Sequence, residues 1–178
     1  AIFTAGVLDC FLENNIEFSY VIGVSGGMSN GISYISKQNG RNLKVLNKLK
    51  KYKRLSIDNI LHNSNVYNLD FIFGDVLHRI VPFDYKTFYA YKGTVLAVVT
   101  NAITGESEYL DVLSGSVNNE VIKATCSVPG LFKPQRIKDN LYFDGGVSDS
   151  IPILKSIKDG NKKHVVILTQ PKGFIKKM

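Results

Sequence analysis

One junction limits the folds open to this chain more than any other feature. The apolar run Phe18-Ser19-Tyr20-Val21-Ile22 passes without a linker into Gly23-Val24-Ser25-Gly26-Gly27, and Met28, Ile32 and Ile35 then recur at helical spacing. A short β-branched run bounded by glycine reads as a buried strand, and the spacing after it reads as a helix. A strand that turns at once into a helix is the repeating unit of an α/β layer, in which helices cover a sheet.

The rest of the chain continues that alternation. Phe3, Val7, Leu8 and Phe11 predict a helix over 2–13. Further helices are expected over 42–53, 66–80, 84–91 and 116–125, and a short one over 149–158 with Pro152 in its first turn. Thr-Val-Leu-Ala-Val-Val-Thr at 94–100 predicts a second buried strand. A turn at 101–105 leads to a strand at 107–111, and 140–143 and 165–169 predict two more strands. The reading is one α/β domain over 1–178 with a mostly parallel sheet.

Composition sets the class. The chain has 178 residues, 44% hydrophobic and 21% charged, which excludes disorder, collagen and a disulfide mini-scaffold. No apolar stretch reaches the ~18 residues of a membrane span, and no signal-peptide pattern is present. Cys10 and Cys126 stand apart from any CxxC pair and are expected as buried free thiols in a reducing, cytoplasmic compartment. The net charge of +7 is local. Arg41, Lys44, Lys48, Lys50, Lys51, Lys53 and Arg54 lie together without an acid, and the other 15 basic residues match 15 acidic ones. Such a run suits a solvated helix face, or a patch that holds the protein peripherally on an anionic membrane. Beyond Tyr52 it has little aromatic interleaving, so nucleic acid is not an expected partner.

Gly23-x-Ser25-x-Gly27 has the spacing of a nucleophile elbow. A serine lifted above a strand end needs a sharp turn, and Gly23, Gly26 and Gly27 give the returning helix room. Gly31, one turn later, keeps the same face thin. The unpaired N–H groups at the helix start favour negative charge on an acyl oxygen, as an oxyanion hole must. A phosphate cradle or simple punctuation fits the same turn. The hydroxyl needs a base. His62 and His78 carry no local mark of that role. His164 completes the order Ser25, Asp144, His164 of a hydrolase triad, but it stands at the start of its strand, whereas sites gather at carboxyl ends. Asp144 leaves the end of Leu141-Tyr142-Phe143, and Gly145 and Gly146 allow a tight turn and close approach. A plain Asp-Gly turn is the other reading.

Four segments together resemble the patatin-like phospholipases, lipid acyl hydrolases with bacterial members. They are Ile2-Phe3-Thr4-Ala5-Gly6-Val7-Leu8, Gly23 to Gly27, Ala124-Thr125-Cys126-Ser127-Val128-Pro129 with Phe132 and Pro134, and Asp144-Gly145-Gly146 with Ile151-Pro152. The resemblance implies a three-layer α/β/α fold and a Ser25/Asp144 dyad acting through an acyl-enzyme. It implies a lipid or acyl-ester substrate, and neither a metal nor another cofactor. The family's glycine-rich oxyanion loop would lie before Ala1, and similar proteins continue past Met178. The chain is therefore expected to be trimmed at both ends, keeping Gly26 N–H as its oxyanion donor. Losing one such donor costs about 10²–10³ in rate. The competing expectation is a catalytically inactive module that binds anionic lipid or another anion.

Overall fold

The structure, a computed structural model, describes residues 2–52, 69–114, 118–171 and 173–175. The strand ahead of the glycine turn is β1 (Tyr20–Val24), and Ser25 leads straight into α2 (Gly26–Ile35). The strand begins two residues later than its apolar run suggests, because its ladder starts where Tyr20 meets Thr94. The chain is α/β, with a mixed sheet flanked by helices. Its centre is β2 (Thr94–Asn101), where Val95, Ala97, Val98 and Val99 are wholly buried.

β1 runs parallel to β2. The other described pairings are antiparallel: β3 (Ser107–Asp111) on β2, β5 (Asn140–Asp144) on β2, and β4 (Gln135–Ile137) on β5. Short turns at 102–106 and 138–139 join these strands, and links so short permit only antiparallel neighbours. The register positions the site. Val98 lies opposite both Val24 of β1 and Tyr109 of β3, and Val99 opposite both Asp144 of β5 and Glu108 of β3. Since β3 holds one edge through both positions, β1 and β5 share the other edge. Their carboxyl ends meet head to head between Val98 and Val99.

Met28, Ile32 and Ile35 of α2 enter one core with the inner face of β2. Val121, Ile122 and Ala124 of α6 (Asn118–Thr125) close that core. α1 (Ile2–Glu13) packs against α2 and α3 (Arg41–Tyr52). It buries Thr4, Ala5 and Leu8, not the full stripe its spacing suggests, and Phe3 stays exposed. Cys10, off that buried face, is exposed rather than buried. The expected helix over 66–80 is α4 (Leu69–Phe71) continuing as a π-helix (Ile72–Ile80). Residues 66–68 lie outside the described residues. α5 (Tyr85–Ala90) follows, and α7 (Ile153–Lys158) starts after Pro152 as its N-cap.

The strand set differs from expectation in two places. β4 was not foreseen. The expected strand at 165–169 joins no ladder, and Val165, Val166 and Leu168 are exposed. It flanks a groove of about 530 Å³ whose other wall includes β1. No helix among the described residues is long and apolar enough to cross a membrane.

Candidate active site

Ser25 occupies the turn between β1 and α2 with φ 53° and ψ −126°. A non-glycine residue held there costs about 1–3 kcal/mol and persists only where its surroundings enforce it. The enforcing contact is the return of α2 over β1. A Cβ on Gly23 would lie 2.8 Å from both the N and Cα of Met28, so only glycine fits. Serine is a favoured helix cap, yet Ser25 makes no side-chain capping bond. Its hydroxyl is left to the site. Gly26 is the first residue of α2, and N–H groups in a first helical turn lack intrahelical acceptors. The other motif glycines are less constrained. A Cβ on Gly27 meets nothing within 4 Å, and one on Gly31 makes ordinary contacts with Val21 and Met28.

Asp144 ends β5 and is 4% exposed. Its N–H donates to Ser127 O (2.9 Å), its carbonyl accepts from Thr100 Oγ1 (2.9 Å), and its Oδ1 accepts from Gly146 N (2.7 Å). Burial raises its pKa from the ordinary carboxylate value, while the hydroxyl of Ser25 and the Gly146 amide act as hydrogen-bond partners that pull it back. Gly145 is sterically required, since a Cβ there would overlap the Val98 carbonyl.

The turn after α6 touches both residues. Ser25 N–H donates to Thr125 Oγ1 at 2.9 Å, and Ser127 O receives the Asp144 amide. Between them, Cys126 Sγ is 3.3 Å from Ser29 Oγ. Burial pushes this thiol up to about 12, with Ser29 and Ser25 as hydrogen-bond partners, so it stays protonated. By sequence, 124–129 reads only as a family mark, with no role for its side chains. The available cue was three consecutive small polar residues, Thr125-Cys126-Ser127, between a helix end and Pro129.

The histidines lie elsewhere. His164 Nδ1 is 3.1 Å from Ser156 Oγ on α7, and Asp159, just past that helix, accepts from Tyr20 at the start of β1. Ser25 follows the other end of that strand. His78 stacks on Tyr85 with ring centroids 5.6 Å apart, and His62 lies outside the described residues. The cationic run is α3 for most of its length. Lys44, Lys48 and Lys50 are exposed, but Arg41 is buried. Its guanidinium donates to Val81 O (2.8 Å) and Ser33 Oγ (3.2 Å) and lies over the Phe83 ring. Arg41 therefore belongs to the interior, not to a surface patch. Lys53 and Arg54 lie outside the described residues. Among those residues, no group of three or more His, Cys, Asp or Glu is placed to hold a metal ion.

The profile of the patatin-like phospholipase family matches residues 1–156. The chain belongs to that family, which comprises lipid acyl hydrolases. It is also 28% identical to an uncharacterized protein, YjjU, of Escherichia coli strain K12, over 96% of this chain and 49% of that protein. The chain thus spans about half the length of this curated relative.

Proposed function

We propose that the protein is a serine hydrolase of lipid carboxylic esters, with Ser25 as nucleophile and Asp144 as base. In this reading, Asp144 takes the Ser25 proton as Oγ attacks the ester carbonyl. The Gly26 N–H meets the developing oxyanion at the start of α2. Collapse of the tetrahedral intermediate breaks the ester C–O bond, and the leaving alkoxide takes the proton from Asp144. Water then attacks the acyl-Ser25 ester, again through Asp144, and releases the fatty acid.

The observation that carries the reading is the head-to-head ending of β1 and β5 on one edge of β2. It brings a strained serine, whose hydroxyl does not cap its helix, to a buried carboxylate that feels that hydroxyl. Family membership supports lipid esters as the substrate class. The test is reaction of the full-length protein with a fluorophosphonate probe, mapped by peptide mass. Labelling at Ser25 is expected; labelling elsewhere would overturn Ser25 as the nucleophile, and no labelling would overturn the reading in favour of a non-catalytic module. Contact with anionic lipid through Lys44, Lys48 and Lys50 is part of the same proposal. Replacing the three by Gln is expected to weaken binding to anionic vesicles and to leave hydrolysis of soluble esters unchanged.

A further inference from the structure

The strained turn at Ser25 needs an anchor that neither flanking element supplies. β1 ends at Val24 and α2 begins at Gly26, so the Ser25 N–H falls between a ladder and a helix. It donates to Thr125 Oγ1 at 2.9 Å, and the Thr125 hydroxyl in turn donates to Val98 O at 2.6 Å. Thr125 is wholly buried. A hydroxyl has one proton, and here it is committed to Val98. Toward Ser25 the oxygen can act only as an acceptor, so its orientation is set. Val98 is the β2 residue opposite the last residue of β1. One side chain therefore ties the turn to the central strand at the level where β1 and β5 meet.

We infer that Thr125 is a positioning residue for the Ser25 nucleophile, holding the turn so that Oγ faces Asp144. The inference rests on the hydrolase reading. Without the hydroxyl, the half-buried Ser25 N–H and the buried Val98 carbonyl lose this partner, and the turn loses what offsets its strain. Ser25 then moves toward an ordinary helix-cap geometry and away from the carboxylate. The effect falls on the chemical step, because Thr125 is enclosed and does not reach the substrate.

The test compares Thr125→Val, which keeps shape and removes the hydroxyl, with Thr125→Ser, which keeps the hydroxyl. Both are made in the full-length protein. Ser25 labelling rate and p-nitrophenyl ester kinetics are measured alongside Tm. Thr125→Val is expected to lower labelling rate and kcat about 10–100-fold with KM little changed, as displacement of a reacting group by about 1 Å does. Thr125→Ser is expected within about threefold of wild type, equivalent to about 0.65 kcal/mol or less. Wild-type rates in Thr125→Val, or equal losses in both variants, would overturn the inference. If Thr125→Val does not fold, Thr125→Ala against Thr125→Ser carries the same comparison. Failure of the wild type to label at Ser25 would instead sink the hydrolase reading itself.

Discussion

Two turns carry the proposed chemistry, and they are held in opposite ways. The Ser25 turn is strained, with a non-glycine residue at positive φ, and its amide is anchored by a side chain, Thr125. The Asp144 turn has ordinary backbone angles, φ −52° and ψ 130°; its amide is anchored by main chain, on Ser127 O, its carbonyl takes the Thr100 hydroxyl, and its side chain takes the Gly146 amide. Each depends on one glycine for contact. Gly23 admits the backbone of Met28, and Gly145 admits the Val98 carbonyl. The contrast teaches that a nucleophile can be exposed by strain held from outside, whereas a base is better buried in a relaxed turn. The carboxylate must keep its solvation from fixed donors once water is excluded.

The largest expected effects test whether the two turns act as one unit. Ser25→Ala and Asp144→Asn should each lower ester hydrolysis by about 10⁴-fold or more, and the double variant little further, as groups that act together do. Near-additive losses in the steady-state rates would separate them. Next are the two contact glycines. Gly23→Ala and Gly145→Ala each force backbone apart and should destabilise by about 1–3 kcal/mol or more, read as a fall in Tm and in activity.

The pH response separates the turns more finely. Burial raises the pKa of Asp144, so the carboxylate that accepts the serine proton appears only above the usual Asp value of ~3.9. The acid limb of kcat/KM should lie correspondingly higher. For stability the shift works in the other direction. The fold favours the protonated acid, so this group's contribution is full below the unfolded pKa and is lost as pH rises through the folded one. Asp144→Asn should therefore melt above wild type at pH 8, with the gap closing toward pH 4. An unchanged Tm at pH 8 would argue against a desolvated carboxylate. The smallest effect belongs to Gly27→Ala. Its Cβ meets nothing within 4 Å, so Tm should hold or rise by the equivalent of about 0.5–1 kcal/mol, the propensity gain of Ala over Gly in a helix.

Much of this was legible in the chain. The strand–turn–helix junction, β2, β3, β5 and most helices follow from periodicity and glycine placement, and both proposed dyad residues stand at strand ends in sequence as in the fold. Arg41 and the 165–169 segment mark the limit. By pattern, Arg41 is one more cation in a basic run, but it is interior because Val81 O, Ser33 Oγ and the Phe83 ring surround it. The 165–169 run is as apolar as β2, yet it joins no ladder and lines a groove beside β1, because apolar character makes a strand possible and only pairing makes one.

Local sequence alone therefore determined which segments could be helix or strand, where the backbone must turn, and which residues bear reactive groups. Those properties depend on side-chain periodicity and on glycine's freedom, which act over a few neighbours. The tertiary structure decided the rest. That β1 and β5 share an edge of β2 and end face to face, and that Thr125 and Ser127 reach both turns, depends on pairing between residues separated by a hundred positions or fewer along the chain. No local pattern encodes such pairings. They are selected by which arrangement buries the core while leaving its polar groups bonded.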